Sequence, residues 1–139
     1  MTLSIGELSR HTGVKVTTIR FYENEGLMPL PERNAGNQRR YEAHHLARLH
    51  FIRHGRDLGL SMGAVRELVE LSDQPTHSCE EANRIASEHL ADIRNRIMRL
   101  RSLEEELARI AKSCQGGVIG QCSVIAALGD HGLCKGEHG

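Results

Sequence analysis

The sequence is short of aromatic side chains and of long hydrophobic runs. Its 139 residues include two tyrosines, two phenylalanines and no tryptophan, although 39% of the residues are hydrophobic. We therefore expect no single large core, and predict helices packed through Leu, Ile, Val and Ala side chains. No stretch approaches the roughly 18 apolar residues that a membrane-spanning helix needs.

A secretory signal is also missing from the start of the sequence, MTLSIGELSRHTG, which has no positively charged segment followed by an apolar run. We expect a cytoplasmic protein, in which thiols stay reduced. The four cysteines then indicate metal binding or redox sensing rather than disulfides. The sequence has no paired acid–base constellation, phosphate-binding glycine motif or nucleophile-elbow motif, so we do not expect an enzyme.

The formal net charge at pH 7 is zero, but the charged residues are unevenly distributed along the chain. Residues 10–56 contain nine Arg and Lys against four Glu, whereas the chain from residue 73 onward has eight basic and ten acidic residues. A basic first half is typical of a DNA-contacting module, although an ordinary mixed surface is the alternative.

A helix-turn-helix is predicted near the N-terminus. Ser4 and Glu7 have the spacing of a capping box at the start of a short helix. A turn at residues 12–13 leads to a second helix over about residues 15–25, which Gly26 ends.

A basic hairpin and two further helices complete the predicted DNA-binding domain. The hairpin is expected over residues 33–41, after two prolines that interrupt helix. Apolar stripes predict a helix from about residue 42 to Gly59, and another that begins at Ser61. We place the domain over residues 1–74, with a linker at its end.

The next segment, residues 75–113, is predicted to be a dimerisation helix. Apolar side chains recur there at alternating steps of four and three, interrupted only by Glu104: Ala86, Leu90, Ile93, Ile97, Leu100, Leu107 and Ala111. A lone helix cannot bury such a face, and the chain has no other helix of matching length. A second copy is the expected partner, and packing against the chain's own first half is the alternative.

The cysteines lie at the two ends of this predicted helix. Cys79 opens it and Cys114 closes it, so about 35 steps of 1.5 Å separate them by roughly 50 Å. One chain cannot bring both to a single ion. A parallel coiled coil would pair Cys79 with its own copy, whereas an antiparallel one would set Cys79 of one subunit beside Cys114 and Cys122 of the other.

The glycine-containing loop over residues 114–122 is expected to turn back and bring Cys122 near Cys114. A short helix over residues 123–128 would follow, and its dipole would favour a thiolate at Cys122. Inert packing of the cysteines as small apolar side chains and a disulfide are the alternatives to a metal or redox site. Residues 114–139 are thus predicted to hold a metal-binding loop, a short helix and a flexible tail.

Several motifs together resemble the mercury-resistance-regulator (MerR) family. They are Ile5-Gly6-Glu7-Leu8, Thr12-Gly13-Val14, Thr18-Ile19-Arg20-Phe21-Tyr22-Glu23, Gly26-Leu27, the hairpin over residues 33–41 and the run over residues 53–60. The resemblance extends to about residue 128. It implies a mainly α fold: a winged helix-turn-helix that binds promoter DNA as a homodimer through a long antiparallel helix. It also implies that the inducer-bound dimer bends and undertwists an overlong promoter spacer, so that RNA polymerase finds both recognition elements in register.

The resemblance assigns DNA contacts to eight residues: Lys15, Thr17, Thr18, Arg20, Tyr22, Arg33, Arg39 and Tyr41. Thr17, Thr18 and Arg20 match the major-groove readers and their phosphate neighbours. Arg33, Arg39 and Tyr41 match wing positions that touch the DNA backbone or support the wing. For Tyr22 and Tyr41, partial burial in the core is the alternative.

The resemblance also narrows the signal to a metal. Only about 25 residues follow the predicted coiled coil, too few for a drug-binding domain, and the closely spaced cysteines of iron–sulfur sensors are absent. Family members that sense copper(I) share this loop's spacing but typically have serine where Cys79 stands. Three thiolates, from Cys79, Cys114 and Cys122, give a divalent ion a net charge of −1. Cadmium or lead is expected first, with zinc and mercury as further candidates, and copper(I) or thiol-redox sensing is the alternative.

Two further groups are candidate auxiliary ligands. His77 lies beside Cys79, where a solvated linker histidine is the competing interpretation. His131, Cys134 and His138 form a tail cluster that is either a soft-metal site or a frayed terminus.

Overall fold

A computed structural model of the chain describes residues 2–129. The elements in chain order are α1 (Ile5–Thr12), α2 (Val16–Asn24), β1 (Glu32–Arg33), β2 (Arg39–Arg40), α3 (Ala43–Asp57), α4 (Met62–Ser72), α5 (Glu80–Ser113) and α6 (Ser123–Gly129). A single turn of 3-10 helix, Ile119–Gln121, precedes α6 and was not predicted. The mainly α fold with a small two-stranded wing is confirmed.

The predicted capping box begins α1. The Glu7 amide donates to Ser4 Oγ at 3.1 Å, and the Ser4 amide donates to Glu7 Oε1 at 3.0 Å. Hydrogen bonding of the Glu7 carboxylate to the Ser4 backbone amide, and then to the Ser4 side chain, lowers the pKa of Glu7. The helix ends at Gly13, whose φ of 74° is left-handed and favours glycine.

The wing is an antiparallel hairpin in which Glu32 pairs with Arg40 and Arg33 with Arg39. Its strands are shorter than the predicted arms, because the residues between them form a turn. In this turn the Asn34 side chain accepts hydrogen bonds from the Gly36 and Gln38 amides, and Asn37 is left-handed with φ of 61°. An isolated β-bridge between Leu3 and Tyr41 ties the N-terminal residues to the base of the wing.

The chain folds as two compact units, with the boundary between Ile85 and Ala86. The first unit contains α1 to α4, and its core is mainly aliphatic, as the composition predicts. Five side chains of this core have no exposed surface: Leu8, Ile19, Tyr41, Leu49 and Ile52. The boundary predicted after residue 74 stays a prediction.

The second unit contains the rest of α5 and the residues that follow it. Along α5 the apolar side chains of the predicted seam are largely exposed, among them Leu90 at 48%, Leu100 at 63% and Leu107 at 60%. Within residues 2–129, no helix has both the length and the apolar character that crossing a membrane requires.

Candidate metal centre and DNA-binding surface

Cys114 and Cys122 come together in the loop after α5. Their Sγ atoms are 3.8 Å apart, and neither forms a disulfide. Gly116 and Gly117 turn the chain between them, with φ values of 89° and 104° that favour glycine. Metal–sulfur bonds of roughly 2.3 Å at a tetrahedral angle place two sulfurs about 3.8 Å apart. The pair therefore has the spacing of two thiolates on one ion, far beyond the roughly 2.05 Å of a disulfide bond.

The environment of Cys122 favours its thiolate. The backbone amides of Ile125 and Val124, in the first turn of α6, lower the pKa of the Cys122 thiol, and the Cys114 side chain acts in the same direction. A thiolate is the form that binds a metal, so the local fold prepares this sulfur for coordination.

Cys79 lies directly before α5 and is exposed. Its carbonyl accepts a hydrogen bond from the Asn83 amide at 2.9 Å, in the first turn of the helix. Beside it is an open cavity of about 290 Å³ whose lining includes Phe51, Leu68 and His77. His77 is itself exposed, as expected for a linker histidine.

The helix between these cysteines is long. α5 has 34 residues, which at 1.5 Å per residue gives about 51 Å. Within the described part of the chain, no group of three or more His, Cys, Asp or Glu side chains could hold a metal ion. The three-cysteine site, with Cys79 from a partner, stays a prediction. His131, Cys134 and His138 lie outside the described residues.

The predicted groove-reading residues lie on the outer side of α2. Lys15 precedes the helix, and Thr17 and Arg20 follow on it, all three exposed, while Thr18 is partly buried. In the wing, Arg33 is exposed and its Nη1 donates to the Asn37 carbonyl at 2.9 Å. These side chains offer a basic surface with hydroxyl groups, which suits phosphates and base edges.

The two tyrosines lie in the core. Tyr41 has no exposed surface and Tyr22 is 8% exposed. The Tyr41 hydroxyl donates to Glu23 Oε2 at 2.8 Å, and burial together with this hydrogen bond raises the pKa of Tyr41 to about 12. The burial of Tyr41 agrees with a role in supporting the wing, and the DNA contacts expected for Tyr22 and Tyr41 stay predictions.

Sequence reasoning missed two buried polar residues beneath the wing, Glu23 and His45. Glu23 Oε1 accepts from Arg39 Nη1 at 3.0 Å. The His45 ring lies edge-on to Tyr41 with centroids 5.3 Å apart, and its Nδ1 accepts from the Glu42 amide at 2.9 Å. No local signal marks Glu23 as buried, because it is followed directly by the exposed polar residues Asn24 and Glu25.

Comparisons with known proteins agree with this architecture. Residues 3–71 match the family model described as MerR HTH family regulatory protein, and residues 46–110 match the one described as MerR, DNA binding. The HTH-type transcriptional regulator ZntR of Escherichia coli (strain K12) is 38% identical over 127 residues, which cover 89% of this chain and 90% of ZntR. The chain belongs to the MerR family.

Two other transcription regulators are similar to this chain over most of their length. The mercuric resistance operon regulatory protein of Serratia marcescens is 38% identical over 129 residues, 91% of this chain and 87% of that protein. The crystal structure of the transcription regulator PbrR691 from Ralstonia metallidurans CH34, in complex with lead(II), superposes with a TM-score of 0.79 at 39% identity. It covers 91% of this chain and 98% of PbrR691. The chain is thus a metal-responsive MerR-family transcription regulator that binds DNA.

Proposed function

We propose that two copies of this chain build the metal site together. Cys79 of one subunit would join Cys114 and Cys122 of the other, with the two α5 helices antiparallel. The observation that carries this proposal is the Cys114–Cys122 pair, whose sulfurs have the 3.8 Å spacing of two metal ligands. Among the described residues of the chain, no third His, Cys, Asp or Glu side chain joins this pair in a group that could hold a metal ion. Residues at opposite ends of one long helix meet when two such helices run head to tail.

The exposed seam of α5 supports the dimer. Leu90, Leu100 and Leu107 lie on the predicted heptad positions and are 48 to 63% exposed in the single chain. A second helix would bury them by knobs-into-holes packing. Each buried leucine contributes about 1.5–3 kcal/mol relative to an exposed one, so a seam of this length can hold a dimer.

The donor set favours a soft divalent ion. Three thiolates suit cadmium, lead or mercury, whereas zinc prefers a fourth ligand in a tetrahedron. The only histidine near the predicted ligands in the sequence is His77, and no histidine lies in the 114–122 loop. We infer cadmium or lead first, with zinc and mercury as the other candidates. Copper(I) and thiol-redox sensing are less well supported, because neither needs a third sulfur at Cys79.

Metal binding would act on the promoter through the DNA-binding domain. In this proposal residues 1–74 bind DNA, residues 75–113 form the dimer and residues 114–139 carry the metal loop and tail. Lys15, Thr17, Thr18 and Arg20 would face the major groove, and Arg33 and Arg39 the backbone beside it. The metal-loaded homodimer distorts the promoter so that RNA polymerase initiates, which is regulation by DNA shape rather than by occupancy.

Metal titration with a DNA-shape readout tests this function. DNA duplexes selected by the purified protein from a random pool would carry fluorophores at both ends, so that energy transfer reports bending. We expect cadmium or lead to change the transfer while the dissociation constant changes little, and Cys79→Ser, Cys114→Ser or Cys122→Ser to abolish the change. Ser113→Ala, beside Cys114, is the matched control. A normal response in all three cysteine variants, or a response to peroxide instead of metal, would refute the proposal.

A further inference from the structure

Glu23 is a buried carboxylate at the end of the predicted recognition helix α2. The residue is 7% exposed and its side chain 3%. Each carboxylate oxygen has its own partner: Oε1 accepts from Arg39 Nη1 at 3.0 Å, and Oε2 accepts from the Tyr41 hydroxyl at 2.8 Å. A buried charge needs such partners, because leaving either oxygen unpaired would carry the full cost of desolvation.

The two partners of Glu23 belong to the wing. Arg39 is in β2, paired with Arg33 of β1, and Tyr41 directly follows β2 and is bridged to Leu3. One carboxylate on α2 therefore fixes the base of the wing hairpin relative to the helix. In the proposed function both α2 and the wing face the DNA, so this contact would help to set the distance between them.

The contact with Glu23 does not use all the hydrogen-bond donors of Arg39. Its side chain is 34% exposed, and a guanidinium has five N–H donors, of which Nη1 supplies the bond to Glu23. Because the anchored group cannot rotate freely, less rotamer entropy is lost when its remaining donors bind a phosphate. Arg39 is thus held by Glu23 through Nη1, while its other N–H donors are available to a phosphate.

We propose that Glu23 is a positioning residue for DNA binding, which acts by holding Arg39 in the orientation that meets the DNA backbone. This inference rests on the proposed function, in which Arg39 contacts the backbone. Glu23 itself touches no DNA. Its negative charge alone would oppose DNA binding, so the positioning effect and the charge effect have opposite signs.

A double-mutant cycle separates these effects. The proteins are the full-length wild type, Glu23→Gln, Arg39→Gln and the double variant, with affinity for a selected duplex measured over a range of salt concentrations. Removing one phosphate contact should weaken binding and reduce the salt slope by about 1, which is the expectation for Arg39→Gln. Glu23→Gln should weaken binding by at least about twofold in the wild-type background, as for residues in contact. When residue 39 is already Gln, only the charge effect remains, so Glu23→Gln should not weaken binding and should strengthen it slightly.

Glu25→Gln is the matched control. It removes the same charge two residues further along, where Glu25 is exposed and paired with Arg66 instead of the wing. We expect its effect to be the same in both backgrounds and its salt slope to match the wild type. Thermal melting of each variant establishes that it is folded. If Glu23→Gln does not fold, Glu23→Asp, which keeps the charge but withdraws it by one methylene, takes its place.

The other outcomes overturn the proposal. An equal change from Glu23→Gln in both backgrounds would assign Glu23 a charge or stability effect only. If Glu23→Gln binds DNA as well as the wild type while Arg39→Gln binds more weakly, Glu23 has no positioning role, although the DNA contact of Arg39 still holds. If Arg39→Gln binds DNA with wild-type affinity, Arg39 makes no DNA contact, and the positioning role proposed for Glu23 is also wrong.

Discussion

Cys114 Sγ lies 3.8 Å from Cys122 Sγ, at the end of a helix whose other end begins directly after Cys79. Two sulfurs are thus held at the spacing of metal ligands. Cys79, the third proposed ligand, precedes the opposite end of this helix, which is about 51 Å long. A site that combines Cys79 with the Cys114–Cys122 pair therefore requires a second molecule.

The dimer should depend on the seam of α5 and not on its exposed surface in general. We expect Leu100→Asp to dissociate the dimer, because it places a charge on the heptad face, and to abolish binding of metal by three sulfurs. Met98→Asp is the matched control, since Met98 is 67% exposed against 63% for Leu100 but lies off the seam. Sedimentation equilibrium measures the dimer dissociation constant of each variant. A Leu100→Asp protein that remains dimeric with wild-type affinity would contradict the seam.

The thiol of Cys122 should ionise at a lower pH than a free cysteine. Its pKa is lowered chiefly by the amides of Ile125 and Val124, so the thiolate fraction and the alkylation rate should rise at a pH below the ordinary value of about 8.5. Val124→Pro removes one donor and should move the midpoint of the rate profile back upward. Ser123→Pro, at the preceding position, keeps both donors.

Mass spectrometry of iodoacetamide-treated protein gives the rate at Cys122 over a series of pH values. Identical profiles for wild type and Val124→Pro would show that the α6 amides do not act on this sulfur.

Stability should fall as the solution is acidified through the titration of His45. Burial lowers the pKa of His45, against the weaker opposing effects of the Leu30 carbonyl and of Glu42 and Glu23. The unfolded chain then binds more protons than the folded one, so His45 contributes stability above its unfolded pKa of about 6.5, and this contribution is lost as pH falls through the lower folded pKa. For a single proton the slope is at most about 1.4 kcal/mol per pH unit.

Chemical denaturation between pH 7 and pH 5 checks this dependence. His45→Gln should flatten the profile, whereas His50→Gln, on the exposed side of the same helix, should keep the wild-type slope. A His45→Gln protein with an unchanged slope would assign the acid sensitivity to other groups.

Local signals in the sequence predicted most of the fold. The capping box at Ser4 and Glu7, the stop at Gly26 and the heptad seam each rest on residues close in sequence, and the corresponding helices are present. The wing was predicted as a hairpin, but its short strands depend on the Asn34 and Asn37 turn, which composition alone does not place.

The buried polar network could not be predicted, because it depends on contacts between distant parts of the chain. Glu23 and Tyr41 are 18 residues apart, and their hydrogen bond exists only when α2 and the wing have packed together. The approach of Cys122 to Cys114 was predictable, because the glycines between these two cysteines allow the chain to turn back in a short loop. The proposed place of Cys79 in the site depends on a second subunit, and so on a contact that a single chain cannot make.

Subunit mixing tests the shared metal site most directly. Subunits with Cys79→Ser, and subunits with both Cys114→Ser and Cys122→Ser, would carry different affinity tags, so that heterodimers are purified after joint refolding. In an antiparallel dimer the intact Cys79 of one subunit meets the intact loop of the other, so we expect one cadmium or lead ion per heterodimer with the absorption of three thiolate ligands. Neither parental homodimer should show it. A heterodimer that binds metal no better than its parents would contradict a site built from two molecules.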